Sequence, residues 1–209
     1  MGVELEMKDY SQYGEQHYIL KALGITGPGP FTTTGRLLEI GAWDPFDKSN
    51  SRALIELGWS AVMFEPSPGP LRNLVREYGN NPKVDVFGLP VTLNGGFIEL
   101  TVTDDALSAE PSNEAHLKKW GKVGGFYGTM STWAVSLDDI MEMGLFDFIS
   151  IDTEGTSVDL FRGLIERQAR PRCVCVEHDA QYDRLKALCG ESGYRLAYLN
   201  DCNAVLEGE

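Results

Sequence analysis

Four short apolar runs in this chain end in carboxylates, and those ends are where chemistry is expected. Leu37-Leu38-Glu39-Ile40 runs into Gly41, and Ser60 to Phe64 ends at Glu65-Pro66. Phe146 to Ile151 ends at Asp152-Thr153-Glu154-Gly155, and Cys173 to Val176 ends at Glu177-His178-Asp179. An imidazole with an ordinary pKa of about 6.5 is mostly neutral and basic at pH 7, so His178 among acids is the candidate general base, with Asp152 as its catalytic companion. The plainer alternative for His178 is a histidine bonded to the backbone. His17 and His116 lie away from the strand ends and read as surface residues. Asp152, Glu154, Glu177 and Asp179 supply the oxygen ligands that Mg2+ prefers, and if a metal takes part its ligands are Asp152, Glu177 and Asp179. Equally, these acids can orient His178, cap the helices that follow or bind cationic groups of a ligand. This reading requires no metal, and the cysteines lack the two clusters a structural zinc needs.

Gly41 follows the first run, where a glycine lets backbone approach a ligand and the next helix offers its amides. The residues after it are Ala42, Trp43, Asp44, Pro45 and Phe46, so the further glycines that admit a dinucleotide's diphosphate are missing. Glu65 stands 24 residues beyond Gly41, where an acid at a strand end accepts hydrogen bonds from both ribose hydroxyls of an adenosine ligand. A glycine loop and a ribose acid without a diphosphate cradle describe S-adenosylmethionine. The alternative for Glu65 is a solvated strand-end carboxylate.

These residues need elements to hold them. Tyr10 to Leu23 has apolar residues at helical intervals and leads to the breaker-rich Gly27-Pro28-Gly29-Pro30. Helices are expected over Ser49 to Leu57, capped by Ser49 or Asn50, and over Pro68 to Tyr78, Val158 to Arg167 and Tyr182 to Ser192, with a further strand over Val84 to Leu89. Tyr194 to Leu199 and Ala204 to Glu207 read as a closing antiparallel pair across Asn200-Asp201. Strands alternating with helices imply right-handed parallel crossovers in a doubly wound α/β sheet, whose ligand crevice lies at the carboxyl ends of the strands. Residues 91–130 break the rhythm and are expected to form an irregular insertion on the acceptor side, with Gly95-Gly96 as a hairpin turn and Phe97 to Val102 as its return strand. Trp120, Phe126, Tyr127 and Trp133 there can stack on a sugar ring or simply pack the segment down.

The 209 residues fit one domain, with residues 1–35 as an N-terminal helix and loop. A net charge of −13 repels a phosphate backbone and argues against nucleic acid. No apolar run approaches the roughly 20 residues that span a bilayer, and the acidic N-terminus is unlike a signal peptide. Cys173 and Cys175 share one face of a strand and read as buried free thiols, so a cytoplasmic protein is expected.

The chain also resembles the FkbM-type methyltransferases. The resemblance runs through Ser11-Gln12-Tyr13-Gly14-Glu15-Gln16, Leu38-Glu39-Ile40-Gly41-Ala42, Ser49-Asn50-Ser51-Arg52-Ala53-Leu54 with Gly58-Trp59, and Phe64-Glu65-Pro66-Ser67-Pro68. It continues through Ser136-Leu137-Asp138-Asp139 and the stretch Phe146 to Gly155. It implies a class I methyltransferase fold, a seven-stranded sheet whose last strand is antiparallel, and O-methylation of a hydroxyl on a sugar, glycoconjugate or small natural product. By resemblance, Glu39, Gly41 and Ala42 line the methionine half of S-adenosylmethionine, with Trp43 next in the same loop. Glu65 holds the ribose, Pro66 and Leu89 sandwich the adenine, and Asp152 sits beside the methyl group. Ser11, Gln12 and Asn50 reach the amino-acid end or else cap helices and face solvent. Gln16 departs from the family, which often has an acid there. Rival readings are a non-catalytic S-adenosylmethionine-binding module and an NAD(P)-dependent oxidoreductase. Oligomeric state is not legible.

Overall fold

The structure, a computed structural model, describes residues 7–26, 34–103 and 126–209. Along the chain the elements are α1 (Glu15–Ala22), β1 (Arg36–Ile40), α2 (Arg52–Glu56), β2 (Ser60–Phe64), α3 (Pro68–Tyr78), β3 (Val84–Phe87), β4 (Val91–Thr92) and β5 (Asn94–Thr103). They continue with β6 (Phe126–Ser136), α4 (Leu137–Glu142), β7 (Phe148–Ile151), α5 (Ser157–Glu166), β8 (Cys173–Glu177), α6 (Tyr182–Ser192), β9 (Tyr194–Leu199) and β10 (Asn203–Gly208). Seven strands form one sheet in the order β3-β2-β1-β7-β8-β10-β9. The first five are mutually parallel, and β10 lies antiparallel between β8 and β9. This is the doubly wound sheet with a C-terminal antiparallel strand that the sequence predicts.

The period of two along each strand divides the core into two layers. Leu38, Ile40, Val62, Phe64, Val174 and Val176 pack against α4, α5 and α6. Leu37, Ala61, Met63, Phe148, Cys173 and Cys175 face α1, α2 and α3. Burying each such large side chain contributes about 1.5–3 kcal/mol. The four cysteines are free thiols, and burial pushes the Cys173 and Cys175 thiols well up.

Where the structure departs from the sequence reading, backbone chemistry explains it. The first helix starts at Glu15, not Tyr10, because Gly14 takes a left-handed φ of 86°. The Gln16 amide then holds residues 8–14 as a strap, accepting from the Tyr10 N–H at 3.0 Å and donating to the Lys8 carbonyl at 2.9 Å. A carboxylate there could only accept, which gives the departure at Gln16 a physical role. The α2 helix is one short turn, and Ser49 Oγ accepts its Arg52 amide at 3.1 Å.

Gly95-Gly96 is not a hairpin turn, since both glycines lie inside β5. That strand pairs antiparallel with β6, from Asn94 opposite Ser136 to Thr103 opposite Phe126, and β4 pairs parallel with β6. The described part of the stretch expected to be irregular is therefore a three-stranded sheet ordered β4-β6-β5. Its long partners are far apart in sequence, so local turn signals could not reveal the pairing. A short helix not foreseen, α4, follows β6 through a capping box between Ser136 and Asp139. His116, Trp120 and the Gly27 to Pro30 loop lie outside the described residues, as do the side chains of Phe126 and Tyr127.

Arg52 ties α2 to α3 and to the strap. Its Nε bonds Glu56 at 2.8 Å and its Nη1 bonds Glu77 at 2.7 Å, while the guanidinium lies 4.6 Å from the Phe46 ring centre and 5.6 Å from those of Tyr10 and Tyr78. Arg52→Lys keeps the charge but loses the planar fork, and we expect it to destabilise the fold by about 1–2 kcal/mol in urea unfolding. An unchanged midpoint would remove Arg52 from this account.

Candidate functional site

The acid-ended strands β1, β2, β7 and β8 are neighbours, so their carboxyl ends converge on one edge of the sheet. Gly41 is forced by the closeness of that convergence. Its φ is 81°, and a Cβ added there would lie 1.7 Å from the Asp152 carbonyl oxygen. The two strand ends are pinned together by Asp152 N–H donating to the Ile40 carbonyl at 2.8 Å, and the Gly41 and Ala42 amides both donate to the Phe64 carbonyl.

Glu65 is almost fully buried, and its two oxygens are used separately. Oε2 accepts from the Trp43 N–H at 2.8 Å, and Oε1 accepts from the Ser67 N–H at 2.7 Å. Burial pushes its pKa up, the two amides oppose that shift, and the nearby Asp152 charge adds to it. A carboxylate has about four lone-pair directions, so each oxygen keeps capacity for a ribose hydroxyl. Trp43 reaches a φ of 51° to make its contact. The glycine loop and Glu65 are thus one hydrogen-bonded unit.

Glu39 lies behind Gly41, held by the Ser51 hydroxyl and the Asn50 backbone N–H, and its pKa is pushed up to about 8 by burial and by the charges of Asp152 and Glu65. Asn50 donates from Nδ2 to Ser150 Oγ at 3.3 Å, and its Oδ1 is buried with no partner among the described residues. Glu39 and Asn50 together offer acceptors for a ligand's ammonium group. The Ala42 side chain does not face this edge; it is packed in the core beneath the loop. Ser11 also serves locally, donating to Asp9 and accepting from the Gln16 amide.

In front of Gly41 lies a cleft enclosing about 560 Å3 when its open mouth is counted. Glu65, Pro66, Leu89 and Asp152 line it as expected. Ile98 and Leu100 of β5 form a wall that the sequence reading missed, although their alternation in a strand was visible. Its described lining includes Glu65, Asp152 and Glu154 but no lysine, arginine or histidine. Carboxylate oxygens of Asp152, Glu154 and Glu177 lie within 4.8 Å of one another. Asp179, expected among possible metal ligands, is not one of this trio, and Glu154 takes its place. The Thr153-to-Gly155 turn, with Glu154 at a φ of 54°, swings Glu154 back until its N–H meets Glu177 Oε2 at 3.2 Å. Burial and the charges of Asp152, Glu154 and Asp179 push the Glu177 pKa well up.

His178 is not in the cleft lining. The residue is 7% exposed, with ring Nε2 2.9 Å from the Asn200 carbonyl oxygen, and its backbone N–H donates to the Cys202 carbonyl. The backbone-bonded alternative therefore accounts for Nε2. Nδ1 is buried and has no partner among the described residues.

Compared with known families, residues 39–205 match the methyltransferase FkbM domain. The chain belongs to this family. As an FkbM-family protein it is an S-adenosylmethionine-dependent methyltransferase with a Rossmann-like class I fold. Among solved structures, the METTL16 methyltransferase domain aligns with a TM-score of 0.51 and 12% identity, over 92% of this chain and 65% of that one. The C-terminal domain of precorrin-6Y C5,15-methyltransferase from Rhodobacter capsulatus aligns with a TM-score of 0.49 and 13% identity, over 98% and 90%. No curated protein matches the chain. Among the described residues, no helix is long and apolar enough to cross a membrane.

The electrostatics suit this cofactor. S-adenosylmethionine brings a sulfonium and an ammonium group to an edge rich in acids, where a dinucleotide's diphosphate would be repelled. A cation beside Glu39 favours its ionised form, so cofactor binding below pH 8 releases protons and affinity rises between pH 6 and about 8. Calorimetry in buffers of different ionisation enthalpy reads both effects, and pH-independent affinity would contradict them. Because the folded-state pKa of Glu39 lies above its ordinary value of 4.5, the cofactor-free protein loses stability as pH rises from there towards about 8. Gly41→Ala is expected to abolish cofactor binding. Glu65→Ala should weaken it at least tenfold, or about 1.4 kcal/mol.

Proposed function

We propose that this FkbM-family enzyme transfers the methyl group of S-adenosylmethionine to a hydroxyl oxygen of a sugar, glycoconjugate or small natural product. The observation that carries this reading is the concentration of proton-accepting side chains at the ends of β7 and β8, beside the glycine that opens the cofactor edge. An alcohol attacks a sulfonium carbon well only if its proton leaves as the bond forms, and a positioned base typically contributes about a hundred- to ten-thousand-fold. In-line attack also requires that nucleophile, methyl carbon and sulfur be aligned.

In this reading Glu39, Asn50 and the Gly41–Trp43 loop hold the methionine half, Glu65 binds the ribose, and Pro66 and Leu89 enclose the adenine. Asp152 stands beside the methyl group, and His178 takes the proton. The acceptor rests between the strap at residues 8–14 and the β5 wall. The carboxylate trio acts without Mg2+. The free buried thiols support a cytoplasmic setting, where thiols stay reduced.

The test is incubation with methyl-labelled S-adenosylmethionine and a panel of glycosides and polyols, with products located by mass spectrometry and NMR. A methyl ether is the expected product, and methylation at nitrogen or carbon would refute the reading. His178→Gln should lower kcat by about 10^2–10^4-fold while cofactor affinity stays unchanged. Activity that survives chelation of divalent ions is expected, and its loss, restored by Mg2+, would assign the trio to a metal instead.

A further inference from the structure

The opening motif around Glu15 contributes no residue to the described lining of the cleft, yet Glu15 is fully buried. Its Oε1 accepts from the side-chain amides of Asn200 and Asn203, both at 2.8 Å, and its Oε2 accepts from the Tyr13 N–H at 2.7 Å. Asn200 is fixed from its other side as well. Its Oδ1 accepts the backbone amides of Cys202 at 2.9 Å and Asn203 at 2.7 Å, which closes the turn between β9 and β10. The Asn200 side chain is thereby held at both its nitrogen and its oxygen, which anchors the backbone that carries its carbonyl. That carbonyl meets His178 Nε2 at 2.9 Å.

A carbonyl oxygen can only accept, so Nε2 carries the hydrogen, and in the neutral imidazole Nδ1 then holds the lone pair. Nδ1 is buried and has no partner among the described residues, a state that native structures seldom keep without a functional reason. The backbone immediately after it carries strain. Asp179 and Ala180 are consecutive non-glycine residues with φ of 44° and 59°, a conformation that clusters at functional sites.

We propose that Glu15 and Asn200 are positioning residues that lock His178 in the Nε2–H tautomer, making Nδ1 the atom that takes the acceptor's proton. This rests on the reading of His178 as the base. When the acceptor's O–H bond breaks, the proton moves to Nδ1 and gives an imidazolium whose Nε2–H stays on the Asn200 carbonyl. The oxygen's electron pair forms the bond to the methyl carbon as the carbon–sulfur bond breaks, leaving neutral S-adenosylhomocysteine. The Glu15 carboxylate thus acts on the chemistry through the turn between β9 and β10, without itself touching a substrate.

The chain has three histidines, so two-bond 15N–1H correlation spectra of the labelled protein, assigned with His178→Gln, read the tautomer directly. The wild type is expected to show His178 protonated at Nε2 only. Protonation at Nδ1, or an exchanging mixture of tautomers, overturns the proposal without any variant. In Glu15→Gln the new amide nitrogen opposes an existing donor whichever way it turns, and Asn200→Gly releases the carbonyl. Both should give mixed tautomers and lower kcat about tenfold or more, with cofactor affinity unchanged, since a wrong tautomer can cost up to about 10^4-fold. Loss of kcat in His178→Gln with none in these two variants overturns the positioning role alone. Full kcat in His178→Gln overturns the assignment of the base, whatever the tautomer.

Discussion

The site depends on one close approach, the passage of Gly41 beneath the carbonyl of Asp152. No side chain fits between the ends of β1 and β7, so those two strand ends sit at backbone contact and bring their acids with them. The same turn sends the following amides to Phe64 and Glu65, which links β1 to β2 through main-chain donors. Geometry set by backbone is stiffer than geometry set by long side chains, because little rotamer freedom is left to lose. An edge built this way is formed before any ligand arrives, which lowers the ordering cost of binding.

The acids gathered at that edge oppose one another, and the fold tolerates them by different means. Glu65 is quieted by two backbone amides, and Glu39 by a hydroxyl and an amide. Glu177 accepts the Glu154 amide but is buried beside Asp152, Glu154 and Asp179, and burial with those charges holds it well towards its neutral form. The result is an edge short of positive charge, which favours a cationic cofactor over an anionic one.

Much of this was legible in the sequence because strand-end acids and the Gly41 turn are local signals. The four acid-ended runs, Glu65 with Pro66 and Leu89, and the Tyr182–Ser192 helix all lie where their patterns placed them. Facts that depend on pairing between distant residues were hidden. The partnership of β5 with β6 was one, and the choice of Glu154 over Asp179 beside Glu177 turned on a left-handed backbone that no composition reveals. His178 was legible as a residue of interest, but its attachment to Asn200 was not, because a backbone carbonyl leaves no trace in residue type. Ala42 shows the opposite case, a motif position whose side chain serves the core instead of the cleft.

Among the described residues the three-stranded sheet pairs only within itself, and none of its strands belongs to the seven-stranded sheet. One face supplies Ile98 and Leu100 to the cleft, while Phe97 and Trp133 meet edge to face on the other, each about two-thirds exposed. A one-residue register change in β5 would therefore turn Phe97 to the cleft in place of Ile98 and Leu100, with Trp133 of β6 left on the outer face, and without moving a single hydrogen bond of the strands that carry Gly41, Glu65 and Asp152. The fold thus keeps one wall of its cleft on a separate, interchangeable part, which can change while the edge that carries Gly41, Glu65 and Asp152 stands still.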